Sequence, residues 1–167
     1  MNRRHVSGVA IILLLASVSL AQTQQRESLR GLSGVYVYIH PLGKDVEAGG
    51  LATSQIEKAV QAQLRDAGIT LQDEPQPADG SANLVVTIDT VKTQGVYLYE
   101  VEVVLLQEVH LARRQVPDPF PSETWGTKVI GLTTANRMDL ILEPLKSTVA
   151  GFIADYSAVN AKPRAPN

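Results

Sequence analysis

The chain has 167 residues with a formal charge of −2, 44% of them hydrophobic and 19% charged, and it contains 12 Gly, 9 Pro and no Cys. That length and apolar content suit one domain with a real core, which sets aside the disordered, collagen-like and disulfide-stapled classes. With no Cys there is no thiol catalysis, zinc ribbon, iron–sulfur cluster or lipid-modified cysteine, and the weak net charge gives no basis for nucleic-acid binding.

Arg3, Arg4 and His5 form a basic head, and the apolar run Val9–Leu20 follows it. Ser19-Leu20-Ala21 then places small residues at positions −3 and −1 of a cut after Ala21, the layout of a secretory signal peptide over residues 1–21. The apolar run is too short to span a bilayer, which takes roughly 20 residues. The expectation is an exported chain, periplasmic or secreted, that begins at Gln22 and has no stable membrane insertion after cleavage.

Residues 22–28 are polar and aperiodic and are expected to be a flexible leader to one domain over 29–157. Val35, Val37 and Ile39 alternate with Tyr36, Tyr38 and His40, which predicts the first strand. A helix follows over about 54–67. Ser54 and Glu57 have the spacing of a capping box, Ile56, Val60 and Leu64 recur at helical spacing, and Gly68-Ile69 supply the stop. Ile69–Leu71 reads as a short strand before a turn-rich loop over 73–82. Leu84–Val91 and Tyr97–Leu106 are strands joined by a turn at Thr93-Gln94-Gly95. The centre of the second is apolar on both faces apart from Glu102, so it is expected inside the sheet.

The proline-rich stretch 112–123 reads as an exposed connection, and Thr124–Ile130 as the last strand. Met138, Leu142, Leu145, Val149, Phe152 and Tyr156 form one helical stripe, in which Pro144 predicts a kink or a restart. Residues 158–167 are expected as a disordered tail. The order β-α-β-β-β-β-α implies an α+β fold: a mixed, mostly antiparallel sheet of four to five strands, with two helices on one face and the other face open.

Residues that carry chemistry are few. Glu108 and His110 share a strand face and would approach His40 if their strands were neighbours, but a metal site needs three or four converging ligands. Glu100 and Glu102 lie two apart on one strand face; without a cleft they read as a solvated stripe rather than as an acid–base pair. No phosphate-binding glycine loop and no nucleophile elbow is present. The sequence therefore assigns no catalytic residue, metal or cofactor.

Two resemblances accompany these readings. Glu123-Thr-Trp-Gly-Thr127 and Phe152-Ile-Ala-Asp-Tyr-Ser-Ala-Val-Asn160 resemble segments of uncharacterised secreted bacterial proteins. The β-α-β order with Leu51, Ile56, Val60, Leu64 and Gly68-Ile69 is similar to small envelope modules such as the N-terminal domain of TolB, of the Tol–Pal system. That second likeness implies a non-catalytic module that docks on an envelope protein. The expected contact residues are Tyr36 and Tyr38 on the uncovered sheet face, with Arg113, Arg114 and Phe120 from the proline-rich connection, because Tyr and Arg are enriched where proteins meet. A periplasmic hydrolase using strand carboxylates or His, and a carrier of a small apolar ligand, are the alternatives.

Overall fold

Four strands and the helices packed on them are seen in a computed structural model that describes residues 22–75, 81–112 and 119–161. The expected signal peptide, Arg113 and Arg114, and most of the expected tail lie outside those residues. Strand β1 (Gly34–Ile39) is followed by helices α2 (Lys44–Ala48) and α3 (Thr53–Asp66), then by β2 (Ser81–Thr93), β3 (Val96–Val109) and β4 (Phe120–Thr133). A 3-10 turn over Ala135–Ile141 leads into α4 (Leu142–Asn160). Ahead of them all, residues 22–27 form a helix, α1.

The sheet order is β1-β2-β3-β4, with β1 parallel to β2 and the other two pairs antiparallel. The parallel pair needs a crossover, and α2 and α3 supply it. The sheet is thus mixed and single-domain, as the alternation implied, with four strands. Ile69–Leu71 adds no fifth: Leu71 makes one parallel bridge to Val35, with Gln72 N–H donating to Val35 O at 2.9 Å. As expected, β3 is interior.

One face of the sheet is covered. Val35, Val37, Leu84, Val86, Tyr97, Tyr99, Val101, Val103, Leu105 and Trp125 point into a core closed by Ile56, Val60 and Leu64 of α3 and Leu145, Val149 and Phe152 of α4. Trp125 meets Phe152 edge to face, with ring centroids 5.1 Å apart. Of the helical stripe expected in the last helix, Met138, Leu145, Val149 and Phe152 are buried, while Leu142 and Tyr156 are only partly so. Leu29, Val46 and Ile141 join the core; short elements gave no periodic signal for them.

The helix ends follow backbone chemistry. Gly68 has φ +76°, Ile69 N–H donates to Leu64 O at 3.0 Å and Gly68 N–H to Arg65 O at 2.9 Å. That pair of bonds is the Schellman closure anticipated from Gly68-Ile69. The other end departs from expectation. α3 begins one residue earlier, at Thr53, so Ala52 is the N-cap, and Gln55 Oε1 accepts from its N–H at 3.0 Å. Ser54 lies inside the first turn and Glu57 just beyond it, and they form no box. Pro144 falls within the first turn of α4, where its missing donor costs nothing, so the stripe restarts there instead of kinking. In the β2–β3 hairpin Gln94 joins Gly95 at positive φ (44° and 88°), a type I′ turn.

Three boundaries move. The segment expected as a flexible leader is helical over 22–27 and held down: Arg26 Nε donates to Asp155 Oδ1 at 2.7 Å, and Leu29, just beyond it, is 0% exposed. Its polar residues face outward, which hid the anchor. β4 starts at Phe120 rather than Thr124, because Pro121 sits on an edge strand, where a missing N–H is tolerated. α4 runs to Asn160, past the expected break at 158, because Asn160 Nδ2 donates to Leu29 O at 2.8 Å and Gly31 N–H donates to Asn160 Oδ1 at 2.8 Å.

Candidate docking face

The alternation that buries one face of the sheet leaves the other to solvent, and the register sets its residues in rows. Tyr36, Asn83 and Leu106 form one row across β1, β2 and β3; Tyr38, Val85 and Val104 form the next. Beyond them Thr87, Glu102 and Lys128 align, and then Asp89, Glu100 and Ile130. The last row is Val91, Leu98 and Leu132, all exposed.

A groove of about 450 Å³ lies over the first rows, lined by Tyr36, Tyr38, His40, Pro75, Asn83, Val85 and Leu106. Its walls are aromatic and aliphatic, and Tyr38 remains 43% exposed. The Tyr38 and His40 rings meet edge to face at 6.3 Å. His40 N–H donates to Val86 O at 2.8 Å, which extends the β1 pairing one residue past the strand.

The carboxylates occupy a separate band. Lys128 Nζ lies 3.4 Å from Glu100 Oε2 and 3.9 Å from Glu102 Oε1, and all three side chains are partly solvated. They stand on the open sheet with no enclosing wall, an arrangement that balances charge. His40 and His110 are kept apart: β2 separates their strands, and His40 follows Ile39 while His110 follows the opposite end of β3. Among the described residues no group of three or more His, Asp or Glu could hold a metal ion.

Of the expected contact residues, the structure brings Tyr36 and Tyr38 together and places Phe120 elsewhere. β4 is three strands from β1, and Phe120 pairs with Val109, on the pleat opposite Leu106 and Glu108. A bulge between Leu105 and Leu106, where the partner sequence jumps from Trp125 to Glu123, sets that pleat. One extra residue on β4 shifts every preceding side chain to the other face. Sequence reasoning missed Pro75, Asn83, Val85 and Leu106 as groove walls. Alternation had placed Val85 and Leu106 on their faces, but only strand order makes them neighbours of Tyr36.

Among the described residues no helix is long and apolar enough to cross a membrane. No protein-family model matches the chain, and no curated protein matches it. Solved structures similar to it include a minor lipoprotein from Acinetobacter baumannii, at 10% identity over 77% of this chain and 93% of that one, with a TM-score of 0.42.

Proposed function

We propose that the protein is an exported, non-catalytic module of the cell envelope that binds a protein partner through the open face of its sheet. The observation that carries this reading is the groove at Tyr36 and Tyr38: an aromatic-walled concavity on the open face of the sheet, with Asn83 and His40 as its polar lining residues beside the tyrosine hydroxyls. Such a site offers two large side chains of low conformational entropy, each joining contact area to a hydroxyl, on a scaffold that does not have to reorganise. Export rests on the layout of residues 1–21, with its basic head, apolar run and Ser19-Leu20-Ala21. A non-catalytic role fits the carboxylates, which neutralise Lys128 on an open surface.

Photo-crosslinking in the native host tests the proposal. A photoreactive residue at Tyr38 is expected to yield one discrete crosslinked species, and the same residue at Lys146, an exposed position on α4, none. Equal crosslinking from both positions, or none from Tyr38, would remove the open face as the docking site.

A further inference from the structure

The polar groups in the groove are all able to donate. The Tyr36 and Tyr38 hydroxyls, the Asn83 amide and the His40 ring can each offer a proton, and no Asp, Glu, Lys or Arg of the described residues lines the site. None of these four side chains is hydrogen-bonded to another described residue. Beside Tyr36 the outer edge of β1 is already paired: Val35 N–H donates to Thr70 O at 3.0 Å, and Gln72 N–H to Val35 O at 2.9 Å. Adding a strand there is closed, so a ligand is read across the face, by side chains that give protons to its carbonyls. A proline-rich chain suits that requirement. Its carbonyls are free acceptors, and its prolines bring no N–H for the groove to leave unpaired. Being already extended, it docks on aromatic-lined surfaces at little entropic cost, and Tyr36, Tyr38 and Pro75 supply such a surface.

Charge stands at both ends of the site and has one sign. Asp73 and Glu74, both exposed, precede Pro75 on the segment that bridges to the outer edge of β1 through Leu71. At the far end of the row Tyr36, Asn83, Leu106 is Glu123 of β4, and Glu108 follows Leu106 on the same pleat of β3; both are exposed. From the segment beside β1 across to β4 is four strand spacings, about 19 Å. Six residues of polyproline chain, at about 3.1 Å each, cover the same length. We infer that the groove takes a proline-rich segment in the polyproline conformation, with a Lys or Arg at each end. The inference rests on the docking face proposed above. The prolines lie against Tyr36, Tyr38 and Pro75, the hydroxyls and the Asn83 amide donate to carbonyls between them, and the basic ends meet the carboxylates.

The test titrates the exported chain with a synthetic Arg-Pro-Pro-Pro-Pro-Arg peptide, blocked at both ends, and follows NMR resonances. Saturable shifts are expected at Tyr36, Tyr38, Asn83 and Leu106, with Val101 and Val149 unmoved. The same peptide with alanine for every proline loses its preformed shape and should bind about tenfold more weakly. With glutamate for both arginines it should also bind about tenfold more weakly at low salt, and added salt should narrow that gap. The Glu74→Gln/Glu123→Gln variant should prefer the arginine peptide less while folding as before. The inference is overturned if the alanine peptide binds as tightly as the proline one, if the glutamate peptide does, or if the shifts fall away from Tyr36 and Tyr38. If no peptide binds but Tyr38 crosslinks a protein in the host, the ligand class falls and the docking face stands. If the peptide binds in the groove but Tyr38 crosslinks nothing there, the ligand class stands and the partner reading falls.

Discussion

The junction of α1, β4 and α4 turns on one carboxylate, and its removal has a calculable cost. Asp155 Oδ2 accepts from Trp125 Nε1 at 3.0 Å, while Oδ1 accepts from Arg26 Nε at 2.7 Å. Trp125 is 3% exposed, so Asp155→Ala takes the acceptor from a largely buried indole N–H, at a cost of about 1–3 kcal/mol. The Arg26–Asp155 ion pair is different: its side chains are 47% and 26% exposed, and a solvated pair contributes about 0–1 kcal/mol. Asp155→Ala should therefore cost about 2 kcal/mol and Arg26→Ala under about 1 kcal/mol. In a Trp125→Phe background, where no indole donor remains to strand, Asp155→Ala should cost markedly less than in the native chain. Equilibrium urea unfolding followed by circular dichroism measures all four. Two results would refute the reasoning: Arg26→Ala as costly as Asp155→Ala, or Asp155→Ala within about 0.5 kcal/mol of the native protein, the scatter of neutral surface changes.

Other perturbations have definite expected signs. Phe152→Ala empties a 0% exposed site that meets Trp125 edge to face and should cost about 3–5 kcal/mol by denaturant unfolding. Gly68→Ala forces an L side chain into a φ of +76° and should cost about 1 kcal/mol in the same assay. Ala52→Ser supplies the missing side-chain acceptor at an N-cap that is already extended (φ −104°, ψ 144°), so it should stabilise the protein by about 0.5–1 kcal/mol, seen as a raised unfolding midpoint.

Long periodic segments were legible in the sequence. The alternation of β1, β2 and β3 and the stripes of α3 and α4 read out both faces of the sheet and most of the core, because period and burial have one physical cause. Features set by a single tertiary contact were not. α1 follows from Leu29 burying itself and Arg26 finding Asp155, neither of which leaves a period. The last turn of α4 depends on Asn160 bonding back to Leu29 and Gly31. The site was half legible for the same reason: alternation put Tyr36 and Tyr38 on one face, but the walls of their groove come from the parallel β1–β2 register and from Pro75. Phe120, read as part of the proline-rich connection, opens β4 instead, and the bulge that sets its pleat has no sequence signature at Thr124.

On the proposed function, Tyr36 and Tyr38 anchor a protein partner on an otherwise passive sheet face. The most direct measurement is the affinity of the crosslinked partner, once purified, for the native chain and for the Tyr36→Ser/Tyr38→Ser variant, with thermal unfolding recorded beside it. Both side chains lie on the uncovered face, so their loss should leave the unfolding midpoint nearly unchanged. Removing two aromatic anchors should weaken binding at least tenfold, since anchors of this kind contribute more than about 1 kcal/mol each. An affinity unchanged in a variant of unchanged stability would contradict the claim.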